Sequence, residues 1–143
     1  MTDLVGEFRH KLDAKGRLSL PSDFRKVLPM NLKITLSPKN DSLYVFDSDG
    51  FSAWVASLFD KDGGFQPSNS KHVNMRKVLN SRAKNVELDA SGRIGISADL
   101  RNAAGLGKDV VLVGDTDHFE IWDAKRWDDF CNSVDLSSLF DED

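Results

Sequence analysis

A nine-residue stretch occurs twice in this 143-residue chain, and that duplication limits the fold more than any other feature. Leu12-Asp13-Ala14-Lys15-Gly16-Arg17-Leu18-Ser19-Leu20 recurs 76 positions later as Leu88-Asp89-Ala90-Ser91-Gly92-Arg93-Ile94-Gly95-Ile96. Read without a gap, the same offset continues for over 40 residues. It matches Asp23-Phe24-Arg25 with Asp99-Leu100-Arg101, Ile34-Thr35-Leu36 with Val110-Val111-Leu112, and Leu43-Tyr44-Val45-Phe46-Asp47 with Phe119-Glu120-Ile121-Trp122-Asp123. Apolar positions fall on apolar positions, so two halves of one topology are expected.

Each half reads as a hairpin, a short helix, two strands and a closing helix. An Asp at the start of a tight turn caps the turn amides, and a Gly at its end accepts positive φ. This gives turn-forming roles to Asp13, Gly16, Asp89 and Gly92. The strand after the first turn runs Arg17–Leu20, with Leu18 and Leu20 on one face and Arg17 and Ser19 on the other. Short helices are expected over Ser22–Leu28, behind Pro21, and over Ala98–Ala104, ending at Gly105. Strands follow at Leu32–Leu36 and Leu43–Phe46, matched by Val110–Val113 and Phe119–Trp122. Closing helices near Phe51–Phe59 and Ala124–Cys131 are expected to carry their aromatic residues inward. The Gly-, Pro- and Asp-rich stretch 60–68 reads as a loop and Ser70–Ala83 as a linking helix.

The chain thus divides into a first repeat at 7–54, a linker and connecting helix at 55–82, a second repeat at 83–130, and an acidic tail at 131–143, of which Val134–Asp143 is expected to be mobile. A unit of about 45 residues buries little core by itself. The halves are therefore expected to exchange hairpins into one shared barrel, which also removes exposed strand edges.

The formal net charge is −4, but the charge is unevenly spread. Residues 7–33 carry seven Lys/Arg against three acids, 68–84 carry five and no acid, and 109–143 carry two against eleven. Basic segments suit contact with nucleic acid, while a solvated face is the ordinary reading of a charge run. No apolar run approaches the roughly 20 residues of a membrane-spanning helix. The N-terminus lacks a secretory-signal pattern, and the one cysteine, Cys131, fits a reducing cytoplasm. No membrane partner is expected. His10, His72 and His118 lack Cys or carboxylate neighbours at metal-ligand spacing, so neither a metal nor a cofactor is expected. No nucleophile, base and orienting group come together, and no phosphate loop or hydrolase elbow occurs. Neither an enzyme nor a small-molecule substrate is expected.

The paired Asp-x-x-Gly-Arg turns, each followed by an apolar strand and a short Asp-x-Arg helix, resemble the SpoVT/AbrB-type swapped-hairpin domain. Two such units in tandem, with Val-Leu-Val-Gly-Asp-Thr-Asp-His-Phe-Glu-Ile-Trp-Asp at Val111–Asp123, resemble the MraZ family of bacterial transcriptional regulators from about Glu7 to Phe130. The resemblance implies an α+β, mainly β fold: two AbrB-like half-units in one pseudo-twofold swapped-hairpin barrel with short flanking helices. It implies double-stranded DNA as partner, ring-like homo-oligomers, and a cytoplasmic, nucleoid-associated location. It also implies short repeated sites in a promoter, that of the regulator's own division and cell-wall gene cluster. It carries the DNA-contact role to Arg17 and Arg93.

The residue chemistry agrees in part. An Arg leaving a tight turn on the solvent face offers a planar fork that grips guanine O6 and N7, or a phosphate. The alternative is that Asp13 and Arg17 merely pair across their own turn. Lys15 at the turn tip and Arg9 and Lys11 on the preceding strand suit phosphate contacts. Ser91, Asn85 and Glu87 stand in those places in the second half, so the first hairpin is expected to supply more of that contact. Arg25 and Arg101 reach a neighbouring subunit or the turn Asp, or are ordinary surface charge. Trp54, Trp122 and Trp127 fill the core or a subunit contact. A different reading is an antitoxin-like DNA-binding module whose acidic tail binds a protein partner; the duplication argues against it.

Overall fold

The computed structural model describes residues 3–141; Met1, Thr2 and the last two residues of the expected tail, Glu142 and Asp143, lie outside the described residues. The first half comprises β1 (Glu7–Lys11), β2 (Arg17–Ser19), α1 (Ser22–Arg25), β3 (Asn31–Leu36), β4 (Leu43–Phe46) and α2 (Ser48–Ser57). A short 3-10 turn at Asp60–Asp62 and helix α3 (Ser70–Arg82) link it to the second half. That half comprises β5 (Lys84–Glu87), β6 (Arg93–Gly95), α4 (Ala98–Ala103), β7 (Asp109–Gly114), β8 (Phe119–Asp123) and α5 (Ala124–Ser133).

Neither hairpin pairs within its own half. β1 pairs antiparallel with β7, β5 with β3, and β2 with β6. The result is a six-stranded sheet in the order β1-β7-β8-β4-β3-β5 and a separate β2-β6 ribbon. This is the expected hairpin exchange, and the architecture is α+β with tandem half-units. Leu18 faces Ile94 in the ribbon, and Tyr44 faces Glu120 in the sheet. Both pairs are 76 positions apart, so a pseudo-twofold axis passes through both. Leu18, Leu20, Ile94 and Ile96 pack into one core with Leu32, Ile34, Val110, Leu112, Phe119 and Ile121. The ribbon closes the barrel by side-chain packing, not by a continuous ladder.

The repeat offset is not uniform. β1 and β7 place Phe8 opposite Leu112. An unbroken offset would place Lys84 opposite Leu36, yet Lys84 faces Ile34. β3 and β7 therefore correspond with Ile34 matched to Leu112, two residues beyond the gapless alignment. The β3–β4 turn, 37–42, compensates by being two residues longer than the β7–β8 turn, 115–118. A slip of two residues leaves every side chain on its original face, so the apolar pattern cannot reveal it.

Two local expectations also change. α1 stops at Arg25 instead of reaching Leu28. α2 does turn Phe51 and Val55 inward, but α5 buries none of its residues. Its Trp127 and Phe130 lie against Trp122, with ring centroids 5.3 and 4.9 Å away, at the protein surface. No second layer among the described residues covers that helix. In the linker, α3 buries only His72. The His72 Nδ1 accepts from the Gln66 amide at 3.1 Å, which leaves Nε2–H to donate to Asp62 at 3.1 Å. The neutral ring, packed 4.9 Å from Phe59, anchors the loop.

Leu18 and Ile94 are both 0 % exposed, so Ile94→Ala should cost about 3 kcal/mol in denaturant unfolding. Residues 1–68 alone should yield no folded monomer, because the partners of β1, β2 and β3 across the exchange are missing. A monomeric, cooperatively unfolding half would contradict the exchange.

Candidate nucleic-acid interface

The Asp turns build the ribbon. Asp13 Oδ1 accepts from the Lys15 amide at 2.9 Å and the Arg17 amide at 2.8 Å, and its Oδ2 accepts from Arg17 Nε at 2.7 Å. Asp89 does the same for Ser91, Arg93 and Arg93 Nε at 2.9, 2.9 and 3.1 Å. The Arg17 amide, foremost, then the Arg17 guanidinium and the Lys15 amide hold the Asp13 carboxyl down at about 2 against the opposing effect of burial. Asp89 is lowered in the same way, with the Arg93 amide as the main cause.

Both turns end on a glycine with φ +76°. A methyl group at Gly16 would lie 2.8 Å from the Ile96 carbonyl oxygen and 2.9 Å from the Arg101 guanidinium. At Gly92 it would meet the Arg25 side chain, 2.5 Å from Nη1. Arg25 and Arg101 thus cross the pseudo-twofold and lie on the bare glycine of the opposite half. Neither forms an ion pair with a turn Asp among the described residues; Arg101 Nε instead donates to the Ile96 carbonyl at 3.1 Å.

The ribbon register sets the two remaining arginines. Arg17 faces Gly95, and Arg93 faces Ser19. With Leu18 and Ile94 pointing into the core, alternation turns Arg17 and Arg93 outward on one face as diagonal neighbours. Their side chains are 38 % and 31 % exposed. Arg93 Nη1 also lies 3.9 Å from Asp13 Oδ2, so one carboxylate sits between guanidinium groups of both halves. The pairing across the turn is therefore present. It engages the inner Nε–H of each guanidinium, and the terminal N–H groups of Arg17 form no hydrogen bond or ion pair among the described residues.

The other basic residues divide. Lys15 stands exposed at the turn tip, and its ammonium forms no ion pair among the described residues. Arg9 and Lys11 point outward from β1 as expected. However, Arg9 pairs with Asp128 at 2.7 Å and with Glu7 at 3.6 Å, and Lys11 pairs with Asp109 at 2.6 Å. The Asp128 and Asp109 pairs tie β1 to the second half along the sheet edge and not to the ribbon.

One cluster contradicts the expectation that the histidines lack carboxylate neighbours. Donor atoms of Asp115, His118 and Glu120 all lie within 4.8 Å of one another. The signal was local: His118 closes the four-residue bend two positions before Glu120 of β8, and Asp115 opens that bend, which folds back toward them.

Gly16→Ala should destabilise more than Gly92→Ala. Both force an L-residue into the left-handed region at about 1–2 kcal/mol, but only Gly16 also meets a backbone oxygen. Denaturant unfolding of both variants checks the order. The depressed Asp13 pKa means that its contribution to stability is complete above the ordinary value of 3.8 and is lost as pH falls toward about 2. An NMR titration of the Asp13 carboxyl should give a midpoint near the lower figure, and a midpoint near 3.8 would contradict the turn network.

Comparison with known sequences fits this architecture. The family model described as MraZ protein, antitoxin-like, matches twice, at residues 4–68 and 79–143. A protein of Mycolicibacterium smegmatis named transcriptional regulator MraZ is 37 % identical over 140 residues, covering 96 % of this chain and 94 % of its own. Proteins of the same name from Rhodococcus jostii and Lachnoclostridium phytofermentans are 38 % and 34 % identical, covering 86 % and 92 % of this chain and 82 % and 87 % of theirs. With both halves matched and relatives aligned over most of their length, the chain belongs to the MraZ family.

Proposed function

We propose that the chain is a sequence-specific DNA-binding transcriptional regulator that lays its β2–β6 ribbon in the major groove. The observation that carries this reading is one outward ribbon face bearing Arg17 and Arg93, each held at Nε by its turn Asp. The major groove admits a two-stranded antiparallel ribbon, and a fixed guanidinium fork there matches guanine O6 and N7. Lys15, beside the ribbon, supplies a phosphate contact. Arg9 and Lys11 reach phosphates only by exchanging Asp128 and Asp109 for them, which makes them the weaker contacts. The relatives' name supports a regulator of transcription, not an enzyme.

The sites are short repeats in a bacterial promoter, that of the chain's own division and cell-wall gene cluster, and the protein works in the cytoplasm on the nucleoid. No helix among the described residues is long and apolar enough to cross a membrane. Repeated sites suit a ring-like homo-oligomer, because linked ribbons bind neighbouring repeats with a raised effective concentration. Exposed Leu58, Met75 and Val78, which line one apolar surface with Leu79, offer a subunit contact. A second reading, an antitoxin-like module with a protein partner, is favoured by Leu136, Leu139 and Phe140, all exposed on the acidic tail. Truncation at Val134 separates the two: promoter binding survives it in the first reading, and capture of a stoichiometric partner is lost with it in the second.

Arg17→Ala should retain the fold, because Asp13 still holds two backbone amides. It should lose about 1–3 kcal/mol per specific site in a promoter-binding assay. Lys15→Ala should instead flatten the salt dependence by about one unit of slope. Unchanged promoter binding by folded Arg17→Ala would overturn the reading.

A further inference from the structure

The Asp115–Glu120 cluster lies outside the ribbon and takes no part in the DNA reading. His118 and Glu120 are each 7 % exposed. The imidazole is set between carboxylates on both sides. Its Nδ1 is 2.7 Å from Asp117 Oδ1, and its Nε2 is 2.9 Å from Glu120 Oε2 and 3.8 Å from Asp115 Oδ2. Trp122 Nε1 donates to the other Glu120 oxygen at 2.9 Å, which turns Oε2 toward the ring. Phe46 stacks on His118 at 4.9 Å and Tyr44 packs at 4.5 Å, so aromatic walls exclude water from this side.

This arrangement has the parts of a cation site. In the neutral tautomer with the proton on Nδ1, donated to Asp117, the Nε2 lone pair faces two carboxylate oxygens, acceptor against acceptor. Three carboxylates surround one imidazole, and no Lys or Arg forms an ion pair with any of them among the described residues. Even a protonated ring leaves the group two charges negative. The carboxylate on the far nitrogen is the partner that metal-bound histidines ordinarily have. Ligand atoms about 2.0–2.2 Å from a tetrahedral metal stand roughly 3.4 Å from one another. The two separations from Nε2, 2.9 and 3.8 Å, bracket that value, and all three ligand atoms lie within 4.8 Å of one another. The barrel does not require the cluster: in the first half, Ser42 and Tyr44 occupy the places of His118 and Glu120. Asp115 and Glu120 also line a cavity of about 470 Å³ with Tyr44, Trp122 and Trp127, which leaves room for a fourth, solvent-derived ligand.

We propose that Asp115, His118 Nε2 and Glu120 form a binding site for a first-row divalent cation of the Zn²⁺ type, with Asp117 holding the ring in its ligating tautomer. The mixed nitrogen and carboxylate donors select such an ion over Ca²⁺ or Mg²⁺, which take all-oxygen shells. Bound there, the cation pins the β7–β8 bend of the second half against Tyr44 and Phe46 of the first.

The test uses the untagged full chain after chelator treatment, with Zn²⁺ in calorimetry and Co²⁺ in visible absorption. The expected result is one equivalent per chain with a tetrahedral Co²⁺ spectrum, and a Zn²⁺-dependent rise in the melting temperature. Asp115→Asn, at an exposed position that leaves the core intact, should abolish both signals. Asp117→Asn should weaken binding by about 10–100-fold. Asp129→Asn, an exposed carboxylate outside the cluster, should change neither. Absence of one-equivalent binding in the natural chain, or binding retained in Asp115→Asn, would overturn the proposal.

Discussion

The pairing of β2 with β6 is the contact on which the rest depends. Each strand offers three residues and cannot form a sheet within its own half. Joined at Leu18 and Ile94, they bring two hairpins together, close the core and turn two arginines to one side. A single hairpin gives one guanidinium and an open edge. Two hairpins on a pseudo-twofold give a short head that presents both arginines on one face, mounted on a barrel to which both halves contribute strands.

The carboxylates at the base of that head do two jobs. Asp13 and Asp89 hold the backbone of each turn, and they fix the arginines through Nε. An exposed arginine loses rotamer freedom when it binds DNA, and a side chain already held loses less. In the proposed DNA complex the cost is negative charge next to a phosphate backbone. The positive ends of Arg25 and Arg101, laid across the opposite glycines, offset it locally. The charge of the sequence is uneven, basic in the first hairpin and the linking helix and acidic toward the C-terminus, although the net charge of −4 alone points away from nucleic acid.

Much of this was legible from residues. The repeated Asp-x-x-Gly-Arg gave both turns, strand alternation placed Leu18 inward and Arg17 outward, and the small size of each unit implied exchange. The chemistry of DNA contact entered only through family resemblance and residue type. Three features were not legible, for separate physical reasons. The two-residue shift between β3 and β7 preserves face alternation and so leaves no apolar trace. That Phe130 is exposed and Trp127 only half-buried depends on whether anything packs over α5, which periodicity cannot state. The His118 cluster depends on a four-residue bend bringing Asp115 back over β8, although the spacing of residues 118 and 120 was visible.

The central claim is that the ribbon face meets base edges in the major groove. Guanine N7 methylation interference on the chain's own promoter region tests it most directly, because N7 is exposed only in that groove. The account predicts that N7 methylation of guanines within each repeat blocks binding, with the pattern recurring from repeat to repeat. Binding indifferent to N7 methylation, with interference confined to adenine N3 in the minor groove, would contradict it.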